Sequence, residues 1–180
     1  QALNTFLQTQ QSKTLEVTEA HRKLEAERWG LVRSLSMMVD GRCPERREHS
    51  SSVATLASRL AQAMDLRGED LAQAAYLHDI GLVVLSAEAL NRRGALSAGE
   101  RELLAQHPQI AAKVLADAQA DPPIRDAVLY HHENYDGSGY PAGLKGEAIP
   151  LGARILRVAD SLEAMTGLRP YRPKALTWGE

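Results

Sequence analysis

The chain has 180 residues, 44% of them hydrophobic, which is enough to bury one sizeable core and hardly two. Lys and Arg number 21 against 23 Asp and Glu, so the net charge of −2 excludes the positive field of a general nucleic-acid or anionic-membrane binder, and any anionic ligand must be held locally. A single cysteine, Cys43, excludes an internal disulfide, and no apolar run is long enough to span a bilayer or resembles a cleavable leader; a cytoplasmic protein is expected, continuing beyond both ends of this sequence.

Residues 1 to about 35 lack proline, lack glycine before Gly30, and are rich in Gln, Glu, Lys and Leu, which predicts a long exposed helix. A three-four spacing runs from Leu3 and Leu7 through Val17 and Leu24 to Leu31 and Leu35, with polar residues such as Thr14 and His21 between them. Half the seam is apolar, so either a parallel homodimeric coiled coil or a solvated connector helix satisfies the pattern. Residues 1–40 are read as this connector and 41–180 as the main domain. Asp40-Gly41-Arg42-Cys43-Pro44 breaks the helix, and Pro44 suits a first helical position, predicting a helix that carries Glu45, His49, Val53, Leu56, Ala57, Leu60 and Met64 on one face and is closed by Arg67-Gly68. Leu71, Ala74, Ala75 and His78 mark another, ending near Gly81.

Ser97-Ala98-Gly99-Glu100 has capping-box spacing, so a helix is expected to start there with Leu103, His107, Ala111 and Val114 on one face and a kink at Pro108. Asp121-Pro122 predicts a further helix start, with Ile124, Val128, His131 or His132, and Tyr135 aligned. The turn-rich run Asn134 to Pro141 reads as a loop, and Leu151, Ile155, Val158, Leu162 and Met165 define a last amphipathic helix containing Asp160. With no convincing strand signal, the fold class is all-α, a helical bundle preceded by a long helix.

Five of the six histidines fall in four clusters: His49, His78 beside Asp79, His107, and the pair His131-His132. Imidazole and carboxylate are ligands that borderline divalent metals favour, and a helical bundle assembles such donors in its core. Consecutive His and Asp lie roughly 100° apart around a helix, and a carboxylate can bridge two cations as imidazole cannot. Each histidine alone has a plainer alternative, a ring hydrogen-bonded to a backbone carbonyl in the core. Five imidazoles with nearby carboxylates make that alternative costly, because each buried polar group would need its own partner, whereas metal ions satisfy them together.

Leu77-His78-Asp79-Ile80-Gly81, His107-Pro108, His131-His132-Glu133 through Asp136-Gly137-Ser138-Gly139-Tyr140-Pro141, and Ala153-Arg154-Ile155 through Asp160 to Arg169-Pro170-Tyr171-Arg172 together resemble the HD-GYP phosphodiesterases, a branch of the HD superfamily of metal-dependent phosphohydrolases. The resemblance covers about residues 45–174. It implies an all-helical domain with two or three divalent ions, iron first and manganese next, that hydrolyses cyclic di-GMP to linear pGpG and GMP in bacterial signalling. By motif it implies His49, His78, Asp79, His107, His131, His132 and Asp160 as metal ligands, with Asp79 bridging and catalytically central. Glu45 resembles the extra carboxylate of trinuclear members, or is simply a first-turn glutamate favoured by the helix dipole. Tyr140 resembles a residue bordering the nucleotide, and Arg169 and Arg172 resemble phosphate contacts, a role suited to planar guanidinium forks. Paired metals would activate water, so no protein nucleophile is required and Cys43 is not expected to act.

In one place the pattern breaks: the family usually has a lysine three residues after the His-Asp aspartate, and here Leu82 stands there. Loss of a cation at a phosphate site weakens transition-state stabilisation, by about 10²-fold or more for a single preorganised donor. An active phosphodiesterase is therefore weighed against a module that keeps the metals but senses cyclic di-GMP, or docks a protein partner through the Gly-Tyr-Pro loop.

Overall fold

Seven α-helices follow one another in the computed structural model, which describes residues 2–167: α1 (Ala2–Asp40), α2 (His49–Ala63), α3 (Gly68–Leu77), α4 (Ala87–Leu90), α5 (Ala98–Asp117), α6 (Pro122–Leu129) and α7 (Leu151–Thr166). Short 3₁₀ segments at Pro44–Arg46, Ile80–Val84 and Gly146–Ala148 connect them, and the described residues contain no strand. The all-helical expectation holds. Arg169 and Arg172 lie outside the described residues.

The chain divides into two compact units after Ser34. In the first, α1 presents Leu3, Phe6, Leu7, Leu15, Val17 and Leu24 to solvent, while Thr9, Thr14 and Thr18 return their hydroxyl protons to carbonyls four residues back. In the second, α2 packs on α3 and α7, and α6 packs on α3, α5 and α7. The core is lined by Val53, Val128 and Leu156 with many fully buried alanines, among them Ala57, Ala74, Ala111, Ala153 and Ala159. Small side chains at the crossings let helix axes approach closely.

That alanine stripe explains where the expected faces are displaced. Helical spacing puts Met64, Leu103, Val114, Val158 and Met165 on the apolar faces, yet all are exposed, and the buried faces run through Ala61, Leu115, Leu156 and Ala159 instead. Gly68 opens α3 rather than closing α2, which ends at Ala63 and turns through Asp65 with φ 56°. α3 stops at Leu77, before the expected Gly81. The capping box is present, Ser97 accepting from the Glu100 backbone and Glu100 from that of Ser97. The helix it starts continues through Pro108, which is buried.

The end of α1 is tied to the start of α2 inside the second unit. Asp40 is buried and accepts from the Ser50 backbone N–H at 2.9 Å and the Ser50 hydroxyl at 3.0 Å, satisfying the first turn of the helix that carries His49. Arg42 donates to the carbonyls of Leu82 and Leu85 and so anchors the segment after Asp79.

Candidate metal centre

Three of the histidines are fixed by one device. His78, His107 and His131 each direct Nδ1 at the carbonyl three residues earlier, Ala75, Leu104 and Val128, in each case at 2.6 Å. A carbonyl only accepts, so Nδ1 carries a proton and Nε2 is left as the outward donor atom. The carbonyls are available for two reasons. Those of Ala75 and Val128 lie in the last turns of α3 and α6, where intrahelical partners run out. That of Leu104 lacks its usual N–H donor because the residue four ahead is Pro108. The plainer alternative for a buried histidine thus describes one nitrogen of each ring, and the second nitrogen is what the site gathers.

The outward nitrogens form two groups, His49 with His78 and Asp79, and His107 with His131 and His132, the donor atoms of each lying within 4.8 Å of one another. Asp79 spans them. Its Oδ2 lies 3.3 Å from His49 Nε2 and 3.1 Å from His78 Nε2, while its Oδ1 lies 3.2 Å from His107 Nε2. Asp160, from α7, brings Oδ1 to 3.4 Å from His49 Nε2 and 3.9 Å from His78 Nε2. Among the described residues, seven of the eight expected ligands are therefore assembled around two adjoining positions.

Glu45 is the exception. It sits on the 3₁₀ turn Pro44–Arg46, exposed, with its carboxylate 3.5 Å from the Cys43 thiol, and belongs to neither group. The expected helical spacing to His49 fails because α2 begins only at His49 itself. Likewise His131 and His132 stand beyond the end of α6, in the turn after Leu129, and Tyr135 is 63% exposed instead of sharing a helix face with them.

The donors fit divalent cations better than they fit protons. His107 Nε2 and His131 Nε2 face each other at 3.3 Å, and with both Nδ1 atoms protonated, two lone pairs would repel. A proton between them is disfavoured, since burial, reinforced by His132, His78 and His107, holds His131 well below the ordinary histidine value. His132 is brought down to about 3 by burial, by His107 and by Arg157, which donates to its Nδ1 at 3.2 Å. One ion shared by two nitrogens at bond lengths of about 2.0–2.1 Å would set them roughly 2.9–3.4 Å apart. The pair His49 Nε2 and His78 Nε2 also lies at 3.3 Å.

In the other group a bound metal would take the place of a proton. Burial opposes charge on His78, but Asp79 and then Asp160 raise its value to about 9; burial likewise opposes charge on Asp79, yet His78 and Arg46 hold it well below the carboxylate range. His78 is thus protonated at neutral pH in the metal-free protein and neutral when it ligates. Metal uptake at pH 7.5 is expected to release about one proton from His78, with apparent affinity rising with pH until about 9 and levelling above it. Calorimetric titration in two buffers of different ionisation enthalpy reads this directly, and a release near zero would show that His78 is not engaged.

Around the candidate ligands stand Glu163 and Arg46, for which the sequence carried no expectation, and the loop that brings in the expected Tyr140. Glu163 accepts from His49 Nδ1 at 2.5 Å, the carboxylate–histidine arrangement that orients a ligand ring. It lies one helical turn after Asp160, and Arg157 one turn before, a spacing that could have revealed both. Arg46 bonds Asp79 Oδ2. Buried Glu133 accepts from the backbone N–H groups of Ala142 at 2.7 Å and Leu144 at 3.1 Å and so pins the Gly-Tyr-Pro loop. Gly139 rests against the main chain at His132–Asn134, where a Cβ would come within 2.5 Å of three atoms. Tyr140 donates its N–H to the His132 carbonyl and stacks on the His132 ring, centroids 4.9 Å apart. The loop thereby delivers Tyr140 to a cavity of about 390 Å³ shared with Arg46, His49, Asp79, His107 and Asp160.

The sequence profile of the HD domain family matches residues 33–178, most of the chain. The chain belongs to the HD domain family. Its His78-Asp79 pair and Gly139-Tyr140-Pro141 run put it in the HD-GYP branch. A cyclic di-GMP phosphodiesterase of Thermotoga maritima is 37% identical over 150 residues, covering 79% of this chain and 40% of that protein. The cyclic di-GMP phosphodiesterase response regulator RpfG of Xanthomonas campestris is 41% identical over 130 residues, 69% of this chain and 34% of its own. Among solved structures, a cyclic GMP-AMP specific phosphodiesterase of Vibrio cholerae superposes with a TM-score of 0.58 at 23% identity, over 75% of this chain and 40% of that one, which shows the shared fold. This HD-GYP chain therefore spans two fifths or less of the length of these curated relatives.

Proposed function

We propose that this HD-GYP domain is a metal-dependent phosphodiesterase that hydrolyses cyclic di-GMP to linear pGpG and GMP. The observation that carries the reading is Asp79, whose two oxygens are divided between two histidine groups whose outward nitrogens already have ligand-like spacing. The activities named for the Thermotoga and Xanthomonas relatives support the substrate. His49, His78 and Asp160 would hold one divalent ion, His107, His131 and His132 another, with Asp79 shared; iron or manganese suits this nitrogen and oxygen set.

Such ions supply Lewis acidity, activating water toward phosphorus and offsetting the charge of the diester. The chain's own residues do the positioning. Backbone carbonyls fix the tautomers of three rings, Glu163 orients a fourth, and Arg157 keeps His132 neutral. Tyr140 keeps its phenol proton, burial and then Asp79 raising its value to about 12, so it offers the nucleotide an aromatic face and a hydrogen-bond donor. Arg169 and Arg172 remain our sequence-based assignment for further phosphate contacts.

Chromatography of products from anaerobically purified, metal-quantified protein tests the reading: linear pGpG or GMP is expected, and intact cyclic di-GMP with metal-loaded protein would overturn it. A sensor that binds without turnover is the second reading, favoured by Leu82, which is 2% exposed in an apolar cluster with Leu85 and Ala89. We assign the domain to the cytoplasm on its nucleotide substrate; no helix among the described residues is long and apolar enough to cross a membrane. We further propose homodimerisation through α1, whose apolar residues recur at coiled-coil spacing and are exposed in a single chain. Sedimentation of the intact chain should give a dimer that Leu24→Glu/Leu31→Glu dissociates, and a monomeric parent would exclude it.

A further inference from the structure

The loss of the expected lysine at position 82 raises the question of which cation meets the substrate phosphate. Leu82 cannot fill that role: it carries no charge and packs with Leu85 and Ala89 against Val39, Leu96 and Leu104, an apolar wall on one side of the cavity. Among the described residues, Arg92 and Arg157 also stand near the site. Arg92 is held by Glu100 at 2.8 Å and Glu88 at 3.6 Å. Arg157 is committed to Asn134 at 3.0 Å and to the His132 ring. Arg46 differs from both: its ion-pair partner is the site's central carboxylate.

Arg46 projects from the 3₁₀ turn just before α2, three residues ahead of His49, and lines the same cavity as His49, Asp79, His107, His132 and Tyr140. Its side chain is 22% exposed, against 8% for Asp79, so it reaches the carboxylate from the open side of the site. The oxygen it bonds is Oδ2, the one that faces His49 and His78. A divalent ion in that group and the guanidinium therefore compete for the same atom. Two further carboxylates add negative potential at Arg46: Asp40, which is hydrogen-bonded to Ser50, and Asp160, which faces His49 across the same cavity.

Resting on the phosphodiesterase reading above, we propose that Arg46 is a phosphate-binding cation of this site, beside the contacts assigned from sequence to Arg169 and Arg172: metal loading displaces its guanidinium from Asp79, and the freed fork engages the non-bridging oxygens of the cyclic dinucleotide's phosphodiester. A planar guanidinium matches two phosphate oxygens at once, and its rotation needs no movement of a helix, because it springs from a turn. The same side chain then serves the metal-free protein by balancing Asp79 and the loaded protein by binding substrate.

The test compares the intact parent with Arg46→Gln and Arg46→Lys in three readouts: Mn²⁺ affinity by calorimetry, melting temperature, and steady-state hydrolysis of cyclic di-GMP. Removing a cation that competes for Asp79 should tighten Mn²⁺ binding by roughly tenfold in Arg46→Gln. Its kcat/KM should nevertheless fall by about 10²-fold, as when one preorganised donor is lost. Arg46→Lys, which keeps the charge and loses the fork, should recover part of that loss. Opposite movement of metal affinity and turnover is the signature, because a merely structural arginine would depress both together or neither. Should Arg46→Gln fail to fold, Arg46→Lys decides: a KM raised severalfold with an unchanged melting temperature supports the proposal, and an unchanged KM overturns it. Arg46→Gln indistinguishable from an active parent overturns the proposal alone. A parent that takes up no Mn²⁺ overturns the phosphodiesterase reading itself, and the proposal with it.

Discussion

On the proposed phosphodiesterase reading, Asp79→Ala should leave a folded helical protein that takes up far less metal and hydrolyses cyclic di-GMP at least about 10³-fold more slowly than the parent. The size of the effect follows from how many groups depend on this one carboxylate. Its oxygens lie within 3.3 Å of three imidazole nitrogens, and it also binds the Arg46 guanidinium. Without it, His78 and Arg46 each lose the largest source of negative potential acting on them, and only Asp160 and, at Arg46, Asp40 remain. On that reading both histidine groups would lose a shared ligand at once, whereas alanine at any of the histidines would remove one donor from one group. Metal content by elemental analysis and product chromatography measure the result, with Asp79→Asn as a control that keeps shape and loses charge. Full metal content in Asp79→Ala would refute the shared-ligand assignment.

Gly81→Ala carries the second large effect, although glycine touches no ligand. A Cβ at this position would stand 2.0 Å from the His107 carbonyl oxygen and 2.8 Å from its carbon, both main-chain atoms of α5 that cannot swing aside. Either the segment Ile80–Val84 must lift away, drawing Asp79 from its 3.2 Å approach to His107, or α5 must shift with His107 on it. Overpacking of this kind costs about 3 kcal/mol, a fall of roughly 6–12 °C in melting temperature for a chain of this size. Metal retention should fall with it, because the gap between the two histidine groups widens. Gly99→Ala, where a Cβ meets nothing within 4 Å, is the neutral control. An unchanged melting curve and metal content in Gly81→Ala would show that the close approach is not required.

The glycines illustrate what a sequence motif encodes. The string Leu77 to Gly81 could be matched to a family, yet the reason for its glycine lies 26 positions away in α5, and no local pattern contains it. Gly139 is similar: its place in the Gly-Tyr-Pro run was evident, while the need for a bare Cα follows from its seat on the main chain at Glu133. Pro108 shows the opposite case. A kink is what the sequence predicts, and the structure adds a consequence that the sequence did not suggest, an unclaimed Leu104 carbonyl that sets the His107 tautomer.

The sequence by itself determined the helical class, the capping box at Ser97, the membership of the HD-GYP branch and seven of the eight metal-ligand candidates. These are legible because helix periodicity, capping chemistry and ligand type depend on residue identity and short spacings. What only the tertiary structure decided is which faces are buried, how the two oxygens of Asp79 are divided between the histidine groups, and which groups stand behind those side chains. The buried stripes follow alanines because close helix crossings select small residues, a choice made by the partner helix. Glu45 fell outside the cluster because α2 starts four residues later than its spacing suggested, and Arg46 entered because the turn before it faces Asp79, 33 positions on. Such pairings depend on where helices cross, and that is set by the sum of all their packing and by no single stretch of sequence.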